Sequence, residues 1–240
     1  MNFFDLHCDT ATVAMKKGAG LSRNGLQLDL TKLGEHRLCQ SYAVFIPDHL
    51  RGDAAWRYFV RCHAYWQGQI AAADDMTLLQ YPADAKEAWQ DRKNACFFAV
   101  EGGAVLAGEA EKVSDLAKCG VRMLTLTWNG ENELAGGVAA DGGLKPFGRE
   151  AVGIIRAHHG AVDVSHLNQD GFWDVCALCD TLMASHSCAD ALCPHSRNLT
   201  DEQARAIIDK KGFIGVNFYP PFLRADGRAT VLDAAAHVVH

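Results

Sequence analysis

Short apolar runs alternate with amphipathic segments along the whole chain. Seven runs rich in β-branched and aromatic residues predict strands, and they lie at 3–8, 39–46, 95–100, 121–127, 161–165, 181–185 and 213–218. Strands separated by helices are typical of parallel sheets with crossover connections, and near-continuous apolar runs are typical of strands covered on both faces. The pattern therefore predicts an α/β protein with a (β/α)8 TIM-like barrel.

The eighth strand of such a barrel is missing from the pattern. After Phe222 the chain enters a helical segment from Val231 to His240. The length of 240 residues is close to the roughly 250 of a single barrel, so we expect one domain, residues 1–240, that lacks its C-terminal eighth strand. Two explanations stay open: the sequence is a C-terminally truncated fragment, or a partner chain closes the barrel, as in a homodimer.

One helix has a recognisable signal at each of its ends in the sequence. Thr200 and Gln203 have the spacing of a capping box, which predicts a helix that begins after Thr200. We expect this helix to run to Lys211 and to stop at Gly212 in the left-handed conformation.

Composition and charge narrow the class of protein. With 49% hydrophobic and 22% charged residues the chain is an ordinary globular one, and its net charge of -6 argues against a nucleic-acid partner. The N-terminus does not have the form of a secretory signal, and no run is long enough to span a bilayer, so we expect a cytoplasmic protein without membrane attachment.

Nine cysteines raise the question of a disulfide or metal site. In a reducing compartment we expect most of them to act as small buried hydrophobic residues. Cys176 and Cys179 have the CxxC spacing of zinc and redox sites, but the stretch that contains them has a helical pattern, which favours packing.

Ligand-type side chains occur where the predicted strands end. They are His7, Asp9, Glu101, His166 and His186. The C-terminal ends of barrel strands meet on one face, where active sites form, so we expect these side chains to converge. A single histidine of this kind is more often a hydrogen-bonded core residue, but burying so many ionisable groups without a partner would cost several kcal/mol each. Imidazoles and carboxylates together suit zinc or a similar divalent ion.

Five ligands exceed what one zinc ion with an open position would use. Two ions are therefore expected, with Glu101 as the bridging and catalytic carboxylate, His7 and Asp9 on one ion, and His166 and His186 on the other, around a shared hydroxide. Gly102 and Gly103 would let the substrate or the backbone approach Glu101 closely.

Arg197 is the first candidate for binding substrate. It lies in the loop between the sixth predicted strand and the capped helix, where its guanidinium could grip a substrate carboxylate with two hydrogen bonds. A surface ion pair is the competing interpretation.

These residues also carry a family resemblance. The sequence resembles the membrane (renal-type) dipeptidase family of zinc peptidases, in particular its bacterial members without a membrane anchor. The similar segments, in family order over the chain, are Asp5-Leu-His-Cys-Asp-Thr10, Val100-Glu-Gly-Gly103, Gly120-Val-Arg-Met-Leu-Thr-Leu-Thr127, Val162-Asp-Val-Ser-His-Leu167, Ala184-Ser-His-Ser187, His195-Ser-Arg-Asn-Leu-Thr-Asp201 and Gly215-Val-Asn-Phe-Tyr219.

The resemblance implies a distorted barrel with a binuclear zinc site, the ligand roles given above, and Arg197 on the free carboxylate of a dipeptide. Two departures stand out. Trp128 occupies the position of a histidine that stabilises the tetrahedral intermediate in animal relatives, and Asn129 is the neighbouring candidate to replace it as a substrate-binding donor. The family's last-strand Gly-Ser-Asp-Phe-Asp-Gly-type segment, whose aspartate takes part in proton transfer, is not in this sequence.

Zinc-dependent hydrolysis of a dipeptide is thus the function we expect. Two alternatives stay open. One is a different metal hydrolase of the amidohydrolase type on the same scaffold, such as a deaminase or a phosphotriesterase, because fold and metals do not fix the substrate. The other is a truncated relative that binds metal without turnover.

Overall fold

A computed structural model describes residues 1–81 and 84–240 and shows a parallel sheet curved into a nearly closed barrel. Its strands are β1 (Asn2–Cys8), β2 (Arg37–Phe45), β3 (Met76–Leu78), β4 (Asn94–Glu101), β5 (Val121–Thr125), β6 (Ala161–Asp163), β7 (Met183–Ser187) and β8 (Phe213–Val216).

Helices follow the strands and cover the outside of the sheet. They are α1 (Thr10–Lys17), α2 (Leu30–Leu33), α3 (Gly52–Ala71), α4 (Asp84–Gln90), α5 (Glu111–Lys118), α6 (Pro146–Ala157), α7 (Gln169–Leu178), α8 (Asp201–Asp209), α9 (Pro220–Leu223) and α10 (Val231–Val239), with a 3₁₀ turn at Gly103–Leu106. None of the helices in the described ranges combines the length and apolar character needed to cross a bilayer.

The sheet runs in the order β1-β2-β4-β5-β6-β7-β8, and every ladder is parallel. The short strand β3 lies off this path because it pairs only with the first three residues of β4, below the point where β5 begins its own ladder at Phe98. The path therefore has seven strands, and the predicted barrel lacking one strand is confirmed. Between β1 and β8 the sheet is open, and there Phe4 is 54% and Phe213 is 64% exposed.

Strand bounds differ from the predicted ones in two instructive places. The sequence pattern missed β3, which has only three residues and too little periodicity to be recognised. The sixth strand on the path, β7, begins at Met183 and ends at Ser187, two residues later than predicted, so His186 lies inside the strand and not beyond its end. His7 likewise lies inside β1, and Glu101 is the last residue of β4.

A large apolar core fills the space between the sheet and its helices. On the long helix α3, Phe59, Cys62 and Trp66 are fully buried, and Trp66 packs edge-on against Tyr42 of β2. Burial of these side chains packs α3 against β2 and β4, the second and third strands of the path. This packing also fixes the position of Glu101 at the end of β4.

The capping box of α8 is confirmed, and its C-terminus differs from the prediction. The Thr200 side chain accepts from the Gln203 backbone, and the Gln203 side chain accepts from the Thr200 backbone. The helix ends earlier than expected, so the left-handed position falls on Lys211 (φ 55°) and not on Gly212. Glycine is needed at 212 for space, because a Cβ there would lie 1.9 Å from the carbonyl oxygen of Leu182.

All nine cysteines are free thiols. Cys176 lies in the last turn of α7 and Cys179 directly follows the helix, which confirms the helical pattern up to Leu178, and burial raises the pKa of the Cys179 thiol. Of the nine, Cys39, Cys62, Cys96, Cys179, Cys188 and Cys193 are buried, as expected for small hydrophobic side chains.

Candidate metal centre

The first pair of predicted ligands lies at the end of β1. The pairing of β1 with β2 shifts register between Asp5 and Cys8, because the chain advances three residues along β1 but only two along β2. This β-bulge redirects the side chain of His7. The Asp5 carboxylate accepts from the His7 backbone amide at 3.0 Å and holds the bulge. His7 Nε2 then lies 3.6 Å from Asp9 Oδ1. Asp9 precedes α1 but does not cap it with its side chain, which leaves its half-exposed carboxylate free for the site.

Glu101 is buried at the centre of the cluster. Its two carboxylate oxygens face in different directions: Oε2 lies 3.7 Å from His7 Nε2, whereas Oε1 lies 2.8 Å from His166 Nε2 and 3.5 Å from His186 Nε2. The backbone after it turns sharply at Gly102 (φ 109°), where a Cβ would meet the Ile46 carbonyl at 2.9 Å. This glycine therefore allows close approach of the neighbouring backbone, one of the two roles expected for it.

His166 lies in the loop that follows β6. Its φ of 70° is in the left-handed region, which non-glycine residues rarely adopt, and its carbonyl accepts from the Val138 amide at 3.0 Å. The imidazole Nδ1 contacts Asn129 Oδ1 at 2.9 Å, and Nε2 faces the cluster. Strained backbone of this kind persists where surrounding structure fixes it, and it is frequent at functional sites.

His186 reaches the cluster from β7. A register shift between Ala184 and Ser187 against β8 accompanies the turn of its side chain. Its ring stacks on that of His7 with centroids 3.8 Å apart, and its Nε2 lies 2.9 Å from His166 Nε2. Strands β1, β4 and β7 and the loop after β6 thus bring together the four predicted ligands His7, Glu101, His166 and His186, with Asp9 at the edge.

The charges in the cluster perturb one another strongly. Burial alone would lower the pKa of His7, but the carboxylates of Glu101 and Asp9 outweigh it and raise that pKa to about 9. Burial lowers the pKa of His166, and burial together with nearby His7 lowers the pKa of His186 to about 3. Burial opposes ionisation of Glu101, yet the three histidines hold its pKa well below the usual range. At neutral pH the centre therefore combines an ionised Glu101 and a protonated His7 with the neutral imidazoles of His166 and His186.

This donor set fits a divalent cation. Ligand atoms of His7, Glu101 and His186 lie within 4.8 Å of one another, and all three residues are buried or nearly so. Around Glu101 Oε1 the Nε2 atoms of His166 and His186 are 2.9 Å apart, so three metal-ligand atoms converge at short range. A cation at this point would satisfy groups that are otherwise costly to bury.

Arg197 is buried beside the cluster and does not form a surface ion pair, so that alternative is wrong. The residue is only 5% exposed, its Nη2 donates to the carbonyl of His186 at 3.2 Å, and its guanidinium lies over the ring of Phe222 at 5.6 Å. Its Nε is buried without an acceptor, and no acidic side chain in the described part of the chain pairs with it. Burial lowers its pKa to about 10, and it stays protonated at neutral pH.

Trp128 and Asn129 line the same cleft. Trp128 packs edge-on against Phe45 and lies near His166, with ring centroids 6.4 Å apart. Asn129 uses its Oδ1 for the contact with His166 Nδ1. Asn129 is thus anchored to a predicted ligand, a contact that the sequence did not reveal.

One cleft of about 2530 Å³ contains all the predicted site residues. It is far larger than an ordinary ligand pocket because it continues along the open side of the barrel, past Phe4 and Phe213.

Two polar residues beneath the cluster were missed by the sequence analysis. Asp163 is fully buried at the end of β6, and Ser185 joins it to His186 by hydrogen bonds. The sequence carried one usable signal, a carboxylate inside an otherwise apolar strand, which is rarely tolerated unless it is fully hydrogen-bonded.

Comparison with known proteins places these features in context. The family model of membrane dipeptidase (Peptidase family M19) matches residues 1–240. An uncharacterized protein of Klebsiella pneumoniae, from the pqqA 5′ region, is 37% identical over 166 residues, which cover 65% of this chain and 61% of that protein. The chain therefore spans less than two thirds of that relative.

Two solved structures have the same fold over the whole chain. The metallopeptidase dipeptidase AC, of family M19, superposes with a TM-score of 0.93 at 25% identity, covering 100% of this chain and 80% of that one. A metallopeptidase from Rhodobacter sphaeroides, liganded with a phosphinate mimic of the dipeptide L-Ala-D-Ala, superposes with a TM-score of 0.92 at 24% identity, covering 100% and 81%.

Proposed function

Because the chain belongs to the membrane dipeptidase family, Peptidase family M19, we propose that it is a metal-dependent dipeptidase with its active site at the Glu101 cluster. One observation carries the proposal. A buried set of metal-ligand side chains lines the same cleft as the buried guanidinium of Arg197, which bonds to the backbone of His186 and pairs with no acid among the described residues. Such a pair of features suits a substrate that has both a hydrolysable carbonyl and a free carboxylate.

The metals would be two zinc or similar divalent ions. His7 and Asp9 would hold one, His166 and His186 the other, and Glu101 would lie between them. The opposed directions of the Glu101 oxygens support this division, since Oε2 faces His7 and Oε1 faces the other two histidines. Divalent ions held here would lower the pKa of a water molecule and polarise a carbonyl oxygen.

Arg197 would bind the carboxylate of the dipeptide. A planar guanidinium presents two parallel N–H donors to a carboxylate, and burial strengthens such a contact because little water competes. Packing against Phe222 and the bond to the His186 carbonyl hold the guanidinium in one orientation. The substrate would thereby be aligned with the cluster, and correct positioning of the reacting groups lowers the barrier of the reaction.

Asn129 and Trp128 shape the wall next to His166. With Oδ1 occupied by His166, the Asn129 amide group would offer Nδ2 as a neutral donor toward the substrate. Trp128 supplies an apolar face and one indole N–H, but it cannot act as an acid at neutral pH. Charge on the substrate during reaction would then be stabilised by the ions and by Asn129.

A substrate panel tests the proposal. Zinc-loaded protein is incubated with an unblocked dipeptide, the same dipeptide as its C-terminal amide, a nucleoside and a phosphotriester. We expect amino-acid release from the unblocked dipeptide, loss of activity with a chelator, and recovery with zinc. Turnover of the nucleoside or the phosphotriester, without dipeptide cleavage, would identify another metal hydrolase. Stoichiometric zinc without turnover of any substrate would identify a non-catalytic relative.

A further inference from the structure

A chain of buried hydrogen bonds runs from β6 to the imidazole of His186. Asp163, the last residue of β6, is fully buried and accepts from four donors. These are the backbone amides of Ser165 at 3.0 Å and Ser185 at 2.8 Å, and the hydroxyls of Thr125 and Ser185, each at 2.6 Å. The Ser185 hydroxyl is also 2.7 Å from His186 Nδ1.

The direction of each bond follows from the number of protons. Two backbone amides and two hydroxyls surround the carboxylate of Asp163, and because an amide N–H can only donate, Asp163 acts as the acceptor in this network. Ser185 has one hydroxyl proton, and the 2.6 Å distance to a carboxylate is typical of a charge-assisted bond. Ser185 therefore donates to Asp163 and accepts from His186 Nδ1–H.

This order of donors decides the tautomer of His186. The neutral ring carries one proton, and Ser185 holds that proton on Nδ1. Nε2 is left as a lone pair that faces the cluster, 3.5 Å from Glu101 Oε1. On the other side of the cluster, His166 Nε2 lies 2.9 Å from His186 Nε2 and 2.8 Å from Glu101 Oε1, so the His166 N–H is the donor that faces this lone pair and the carboxylate.

We propose that Asp163, acting through the hydroxyl of Ser185, is a positioning residue that holds His186 in the Nδ1–H tautomer and presents its Nε2 as a metal ligand. The proposal rests on the metal site of the proposed function. Carboxylates bonded to a ligating imidazole fix its orientation and raise its basicity, and here a serine hydroxyl stands between the two groups.

The tautomer is measured first, on metal-free protein, so that this test does not depend on activity. Long-range ¹H–¹⁵N correlation spectra of histidine-labelled protein report which ring nitrogen carries the proton, and the His186 signal is identified by its absence in His186→Asn. We expect the Nδ1–H pattern in the wild type and in Ser185→Thr, and a shift toward Nε2–H in Ser185→Ala and Asp163→Asn. Ser187→Ala is the matched control, because the Ser187 hydroxyl lies on the same strand, buried, without a partner among the described residues. It should leave the tautomer unchanged.

Zinc affinity is measured next, by competition with a chelator. In Ser185→Ala we expect one of the two bound ions to be held about 10- to 100-fold more weakly, with the other unaffected. Ser185→Thr should restore the affinity. A wild-type His186 protonated on Nε2, or a Ser185→Ala protein with unchanged tautomer and zinc affinity, would overturn the proposal. Absence of zinc binding by the wild type would refute the proposed function, while the tautomer spectra would still decide the role of Asp163 and Ser185.

Discussion

Replacing Arg197 with methionine separates its role in substrate binding from any role in stability. Methionine keeps an unbranched apolar stem against Phe222 and removes the charge. The guanidinium is buried, bonded to the His186 carbonyl and paired with no acid in the ranges that the structure covers. If Arg197 exists to bind a substrate carboxylate, activity should fall while the folded state gains or keeps its stability.

The expected loss of activity follows from the bonds removed. A hydrogen bond to a charged group contributes about 1.5–3 kcal/mol, and a guanidinium makes two to a carboxylate. Even a combined loss of about 3 kcal/mol lowers kcat/KM roughly 100-fold, since each 1.4 kcal/mol is about a factor of ten.

The expected change in stability has the opposite sign. Burial lowers the pKa of Arg197 from 12.5 to about 10, with Glu101 offsetting part of the effect. A base whose pKa is lowered by folding is less stable in its charged form in the folded chain, here by roughly 3 kcal/mol at neutral pH. Loss of the hydrogen bond to the His186 carbonyl lowers the free energy of unfolding by about 1–3 kcal/mol and so offsets part or all of this gain. The free energy of unfolding should therefore stay equal or rise by up to about 2 kcal/mol.

The assay compares kcat/KM for an unblocked dipeptide and its C-terminal amide, together with urea unfolding. Wild-type protein should prefer the unblocked dipeptide, and Arg197→Met should lose that preference. Arg149→Met is the control, because Arg149 is an exposed arginine paired with Asp174 at 2.7 Å. It should keep activity and lose at most about 1 kcal/mol of stability. An Arg197→Met protein that still prefers the free carboxylate, or that unfolds more easily than Arg149→Met, would refute the reasoning.

Two further predictions concern the scaffold. Gly212→Ala should destabilise the fold by about 1–3 kcal/mol in urea unfolding, because its Cβ would lie 1.9 Å from the Leu182 carbonyl oxygen. The control Gly153→Ala, in open space on α6, should stabilise the fold by about 0.5–1 kcal/mol. Equal effects of the two substitutions would contradict the packing argument. Burial alone would raise the pKa of Asp29, but four hydrogen-bond and ion-pair contacts hold it below the usual range, so Asp29→Asn should cost about 1–3 kcal/mol at pH 7. The ionised Asp29 stabilises the fold above its unfolded pKa of about 4, and this stabilisation is lost as the pH falls through the lower pKa of the folded state. The difference in unfolding free energy between the wild type and Asp29→Asn should therefore shrink in acid. A difference that does not change with pH would contradict this prediction.

The positions of the candidate ligands could be predicted because the ends of the strands can be recognised in the sequence. His7, Glu101 and His186 each follow an apolar run, and parallel strands of one barrel bring such positions to the same face. An error of two residues in the bounds of β7 did not matter, since convergence depends on the end of the barrel and not on the exact bound.

What the sequence could not show depends on contacts between distant residues. The burial of Arg197 without an acid is one case, because sequence alone left a surface ion pair equally open. The bond from Asn129 to His166 and the chain from Asp163 through Ser185 are others, since the first joins the segments that follow β5 and β6 and the second joins β6 to β7. The left-handed residue after α8 was misplaced because Gly212 is required for packing and not for its φ angle.

Zinc stoichiometry of the wild type and of Glu101→Gln, determined by equilibrium dialysis with elemental analysis, tests the central claim most directly. We predict two ions per chain for the wild type and a loss of tight binding at both positions in Glu101→Gln, because the amide lacks the charge that faces all three histidines. Glu109→Gln, which alters an exposed carboxylate paired with Lys112, should bind as the wild type does. A wild-type protein that binds no zinc, or a Glu101→Gln protein that retains both ions with unchanged affinity, would contradict the account.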